Sequence, residues 1–161
     1  ISAESEVGKG SSFHVYFPLV EPDAPVSDTS ADTTQRPSGN ERILLVDDER
    51  LVVDASKMML EKLGYKVTAR TSSIEALELF RHNPGDFDML ITDQTMPDMT
   101  GKELAGEMQS IRPDMPIILC TGFSEQMDEK KAKEMGIRGF IMKPVGMKKM
   151  AQKVREVLDA Q

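Results

Sequence analysis

From Arg42 onward, short apolar runs of strand length alternate with longer stretches whose apolar residues return every three or four positions. The runs RILLVD (42–47), YKVTAR (65–70), FDMLITD (87–93), MPIILCT (115–121) and RGFIMK (138–143) predict five strands. Between them, Leu51, Val52, Ala55, Met58, Met59 and Leu63 fall at helical spacing over 49–63, and Gly64 stands at the usual stop. Further helices are predicted over 73–81, closed by Asn83-Pro84-Gly85, and over 101–111, stopped by Pro113. Two more are predicted over 125–135, before Gly136, and over 147–158. The strand runs are apolar on both faces, so the sheet they form is parallel and covered by helices on both sides. Right-handed crossovers leave few topologies, and five βα units are too few to close a barrel. The predicted fold is α/β: a flavodoxin-like, doubly wound, five-stranded parallel sheet in the order 2-1-3-4-5, counted from Arg42.

Before Arg42 the pattern changes. SSFHVYFPL alternates, with Phe13, Val15, Phe17 and Leu19 on one face and Ser12, His14 and Tyr16 on the other. It predicts one half-buried strand after a Gly8-Lys9-Gly10 turn, with its sheet partners further upstream. The stretch Gly8-Lys9-Gly10-Ser11 is not a phosphate-binding loop, because no Lys-Ser/Thr follows its second glycine and no strand pattern leads in. Residues 21–40, EPDAPVSDTSADTTQRPSGN, have one apolar side chain larger than alanine, Val26, too little to offset the entropy of ordering, and are predicted to be a flexible linker. The expected organisation is therefore 1–20, a linker over 21–40, and a domain over 41–161. The chain opens on Ile1 in patterned sequence, as a piece of a longer protein would.

Charge sharpens this division. Residues 1–40 carry six acidic and two basic residues, and 41–161 carry 21 and 18, within a net charge of −7. No basic stripe appears, so direct nucleic-acid binding is not expected. No apolar stretch reaches bilayer length, so membrane contact by this piece is not expected either. The single cysteine, Cys120, lies in an apolar run and reads as a core residue of a reducing compartment, which suits the cytoplasm. His14 and His82 read as structural.

The candidate chemistry lies just past the apolar runs. Asp47-Asp48 follow ILLV, Asp93 follows MLIT, Thr121 follows IILC and Lys143 follows GFIM. Singly each has an ordinary explanation: a helix cap for Asp47 or Asp48, turn chemistry for Asp93, a loop cap for Thr121, an exposed position for Lys143. Jointly they fall at the carboxyl ends of strands 1, 3, 4 and 5, where open parallel sheets bind ligands. Strand 2, the edge strand, ends in Thr71-Ser72. Crowded carboxylates repel, so one of Asp47, Asp48 and Asp93 is expected to have a raised pKa unless a cation binds.

LLVDDE, ITDQTMPDMTG, ILCTGFSE and FIMKPV, in this order, resemble the phosphoacceptor receiver domain of bacterial two-component signalling over residues 41–161. The resemblance implies that Asp93 accepts a phosphoryl group from the phosphohistidine of a kinase or phosphotransfer domain. It implies Mg²⁺ held by Asp48, Asp93 and the carbonyl of Thr95, with Asp47 reaching the ion through water. Thr121 and Phe140 are implied as a switch, Lys143 as the counter-ion, and Lys143–Pro144 as a cis bond that aims the lysine. The surface over 125–135, 138–143 and 147–158 is the implied output. SAESEVGKGSSFHVYFPL resembles the last turn and strand of a histidine-kinase ATP-binding domain, which suggests the carboxyl end of a hybrid sensor histidine kinase, with an intramolecular kinase core as one partner. Two other functions stay open: an aspartyl-nucleophile phosphatase of the haloacid-dehalogenase type, which usually has a second aspartate where Thr95 stands, and a docking module that is never phosphorylated.

Overall fold

The computed structural model describes residues 1–17, 37–122 and 136–160, and the chain divides into two units, 1–34 and 35–161. The first holds a hairpin in which β1 (Ser2–Glu6) pairs antiparallel with β2 (Gly10–His14). Its turn uses Gly8 and Gly10 at φ of 82° and 97°, and Lys9 N donates to Glu6 O at 3.0 Å. This corrects the expectation of a lone strand. The partner of β2 lies within the chain, and a strand does lead into Gly8-Lys9-Gly10. The segment SAESE carries one small apolar residue, so hydrophobic periodicity could not reveal it. The strand is not half-buried either: it stops at His14, Phe13 is 73% exposed and Phe17 84%. Leu19 lies outside the described residues.

The second unit is built on a parallel sheet of β3 (Arg42–Val46), β4 (Lys66–Arg70), β5 (Met89–Asp93), β6 (Ile117–Thr121) and β7 (Gly139–Met142). Their order is β4-β3-β5-β6-β7, the predicted 2-1-3-4-5. Helices α1 (Arg50–Lys62), α2 (Ser73–His82), α3 (Gly101–Ile111) and α4 (Met147–Asp159), with a one-turn 3-10 helix at Pro84–Asp86, complete the described elements. The helix expected over 125–135 lies outside the described residues.

Alternation divides each apolar run between two cores. Ile43, Leu45, Met89, Ile91, Ile118 and Cys120 pack with Val53 and Leu60 of α1 and Val154 of α4. Leu44, Val46, Leu90, Ile117 and Leu119 pack with Phe80 of α2 and Leu104 and Met108 of α3. Each such side chain stabilises the fold by roughly 1.5–3 kcal/mol when fully buried. The central strands therefore contribute in both directions, and strand order is set by which runs are apolar throughout.

Residues 37–40 belong to this unit and not to a linker. Gly39 N donates to Leu63 O at 3.1 Å. A Cβ on Gly64, whose φ is 97°, would stand 2.5 Å from Gly39 O. Helix α3 starts with a capping box: Glu103 N donates to Thr100 Oγ1 at 3.3 Å and Thr100 N to Glu103 Oε2 at 2.9 Å. Its first residue, Gly101, approaches β5 so closely that a Cβ would lie 1.9 Å from Asp93 O and 2.9 Å from Leu119 Cδ1. Gly101→Ala is therefore expected to cost about 2 kcal/mol, the range of overpacking, in equilibrium urea unfolding. A change within 0.5 kcal/mol would mean that α3 can retreat freely from the strand.

Candidate functional site

The parallel ladders continue one residue past the strands, and this continuation builds the site. Asp47 N donates to Arg70 O at 3.3 Å, Gln94 N to Cys120 O at 2.8 Å and Lys143 N to Thr121 O at 2.9 Å. Register aligns Val46 with Thr92, Asp93 with Cys120 and Thr121 with Met142. Asp47, Asp93, Thr121 and Lys143 thus reach one rim of the sheet. Asp47, Asp93 and Thr121 are 4%, 6% and 7% exposed. The Lys143–Pro144 peptide is cis.

At the centre stands the Lys143 ammonium, 2.7 Å from Asp47 Oδ2 and 2.6 Å from Asp93 Oδ1. The remaining carboxylate oxygens are also held. Glu49 N donates to Asp47 Oδ1 at 3.0 Å, and Thr95 N donates to Asp93 Oδ2 at 2.8 Å. Each aspartate thus uses one oxygen to fix the loop after its own strand and the other to face the lysine.

Asp48 behaves differently from its neighbour. It is exposed, because alternation along the chain turns it outward where Asp47 turns in. The buried carboxylates that the lysine joins are a pair, not the expected trio. Among the described residues no group of three or more His, Cys, Asp or Glu side chains is placed to hold a metal. Helix α1 begins after Glu49 without a side-chain cap, so Asp47 and Asp48 do not cap it directly. Phe140 is half-buried in β7 beside Leu119, on the α3 side of the sheet, and the register makes it a diagonal neighbour of Thr121.

The charges do not share their stabilisation equally. Burial alone would lower the Lys143 pKa, but the hydrogen bonds it donates to Asp47 and Asp93 outweigh it and raise the value, so the ammonium is fixed at neutral pH. Asp47 is raised, chiefly by burial; its bonds to Lys143 and Glu49 N oppose the shift, and repulsion from Asp93 adds least. The cause expected from the sequence, repulsion between carboxylates, is therefore the minor one. Burial also pushes the Cys120 thiol up to about 12, which leaves it neutral core.

A raised carboxyl stabilises the fold below its unfolded pKa, and that contribution is lost as pH rises through the folded value. Asp47→Asn should therefore raise the thermal midpoint at pH 7 and reduce the decline of stability with pH above the ordinary carboxylate range. Paired melting curves at pH 4 and pH 7 check this; an equal midpoint difference at both pH values would contradict the assignment.

The backbone amides of Glu49 and Thr95 had no sequence signal as site groups, since any residue supplies them. The close fit of Gly101 behind Asp93 could have been suspected from a glycine opening a helix directly after a Thr cap.

The family model of the response regulator receiver domain matches residues 43–155. The chain belongs to this family. The receiver is 33% identical over 168 residues to the sensor kinase CckA of Brucella abortus, covering all of this chain and 18% of that protein. It is 29% identical over 165 residues to the aerobic respiration control sensor protein ArcB of Escherichia coli, covering all of this chain and 21% of ArcB. The chain thus spans about a fifth of the length of these relatives. Among solved structures, a response regulator receiver domain protein from Clostridium thermocellum superposes with a TM-score of 0.71 at 29% identity, covering 74% of this chain and 95% of that one. The receiver is accordingly a two-component signalling domain. No helix among its described residues is long and apolar enough to cross a membrane.

Proposed function

We propose that this receiver takes a phosphoryl group from a phosphohistidine onto Asp93, with Mg²⁺ bound, and that phosphorylation changes the surface around β7 and α4. The observation that carries this is the Lys143 ammonium bridging Asp47 and Asp93 in a nearly buried pocket. The oxygen-only donors suit a hard cation, and Mg²⁺, which keeps several waters, needs no more than one or two carboxylates. Asp47 and Asp93, with exposed Asp48 and the Thr95 carbonyl, are the groups that would hold it. The ion would supply charge against the phosphoryl oxygens.

The residues of the chain account for the remaining steps. An Asp93 oxygen attacks phosphorus in line, a new P–O bond forms, and the P–N bond of the phosphohistidine breaks. Its electron pair returns to the imidazole nitrogen, which takes a proton. Lys143 is already within salt-bridge distance of Asp93 and offers three donors to the incoming oxygens. Thr95 N holds the second carboxylate oxygen, so the nucleophile is oriented before the donor arrives. Thr121 then follows the phosphoryl group, and Phe140, its diagonal neighbour, turns into the space left behind. A cleft of about 540 Å³ runs from Leu51, Val52, Ala55 and Met59 of α1 to Lys143, Pro144 and Val145, and gives a donor domain an apolar landing beside the acceptor.

The relatives favour a hybrid sensor histidine kinase as the parent, with residues 1–20 as the end of its ATP-binding domain, a linker that ends before residue 37, and a cytoplasmic receiver. Thr95 at the place of a second aspartate disfavours a general phosphatase. Incubation with Mg²⁺ and acetyl phosphate tests the proposal: intact mass should rise by a single phosphoryl group and return when the donor is removed. No gain with either acetyl phosphate or a phosphorylated histidine kinase would leave the docking-module reading in its place.

A further inference from the structure

Strand β4 closes one side of the sheet and, among the described residues, pairs only with β3. Its hydrogen bonds tell which of its groups are free. Lys66 N donates to Glu41 O, and Arg70 O accepts from Asp47 N. In a parallel ladder both backbone groups of a residue point the same way and alternate along the strand. Lys66, Thr68 and Arg70 therefore face β3, whereas Val67 and Ala69 direct N–H and C=O outward. Among the described residues this edge is guarded by a side chain: Arg70 Nη1 donates to Ala69 O at 2.8 Å.

Along the same edge runs a cleft of about 670 Å³. Consecutive residues Val67 to Thr71 line it, and because residues of α1 and α2, which cover opposite faces of the sheet, line it too, it follows the strand's rim and not one face. Arg50, Val53, Asp54 and Lys57 of α1 and Glu75 of α2 form its walls. Arg50 is matched by Asp54 at 3.2 Å, and Lys57 reaches Glu61 at 3.8 Å. Lys66 and Arg70, the two cations of the strand itself, form no salt bridge among the described residues.

We propose that this edge is a docking site for an extended acidic peptide segment of a partner protein, added as a sixth strand. Backbone pairing to Val67 and Ala69 holds the segment, and its carboxylates draw the Arg70 guanidinium off Ala69 O and meet Lys66. The same charges disfavour a second copy of this chain in the register centred on Thr68, where antiparallel self-pairing sets Lys66 opposite Arg70. The edge lies beyond β3 from the Asp93 pocket, so a segment seated there leaves the acceptor accessible.

Amide hydrogen exchange of the ¹⁵N-labelled chain with the probe peptides (Val-Glu)₄ and (Val-Lys)₄ tests the proposal. The acidic peptide should slow exchange at Val67 and Ala69 at least about tenfold, the basic one should not, and Arg70→Glu should weaken the acidic peptide about tenfold. Ala69→Pro, which removes an outward N–H that the β3 ladder does not use, should abolish binding while the β3 amides stay protected. Should that variant unfold, Arg70→Glu still decides. The proposal fails if Val67 and Ala69 stay unprotected, if both peptides bind alike, if inorganic phosphate reproduces the effect, or if protection grows with protein concentration alone.

Discussion

Lys143→Met is expected to lower the stability of the receiver by about 3 kcal/mol at pH 7 in the absence of divalent cations. Breaking a buried pair by removing one partner leaves an uncompensated charge and typically costs 3–5 kcal/mol. Lys143 is 23% exposed at its side chain, which sets the expectation at the lower end. Here one substitution orphans two carboxylates, because the ammonium is the shared partner of Asp47 and Asp93. The loss should shrink as pH falls and Asp47 takes a proton, since burial already favours its neutral form. It should also shrink in the double variant Lys143→Met/Asp47→Asn, where one of the two orphaned charges is gone. Urea unfolding of the four combinations measures that coupling. Additive effects would show that Lys143 and Asp47 do not act as a pair, and the description of the pocket would be wrong.

The second large effect concerns Asp93. Asp93→Asn keeps the volume and the hydrogen bond from Thr95 N but removes the nucleophilic charge, so phosphoryl uptake from acetyl phosphate should vanish. Asp47→Asn should slow uptake on the order of a hundredfold without eliminating it, as expected for a group that organises charge around the phosphorus and does not attack it. Intact-mass time courses separate the two. Equal and complete loss in both would mean that Asp47 is as indispensable as the nucleophile.

How far the sequence foretold this arrangement depends on which force fixed each part. The order of the sheet was legible because ILLV, MLIT and IILC are apolar on both faces and can only be central, whereas KVTAR carries Lys66 and Arg70 and sits at the edge. The joint position of Asp47, Asp93, Thr121 and Lys143 was legible for the same reason: strand ends are marked where apolar runs stop. Two features were not legible. The hairpin strand Ser2–Glu6 pairs through its backbone and buries no side chain, so it has no hydrophobic signature. The different fates of Asp47 and Asp48 depend on which of two adjacent residues continues the strand, and adjacent aspartates carry no mark of that. The lysine bridge itself involves a partner 96 residues away, a distance that only the fold closes.

The most direct test of the central claim is to trap the modified residue. After phosphorylation in Mg²⁺, reduction by borohydride converts an aspartyl phosphate into homoserine, and peptide mass spectrometry locates it. Homoserine at position 93 alone is the expected result. Homoserine at 47 or 48, or a phosphoryl group on any hydroxyl or imidazole, would contradict it.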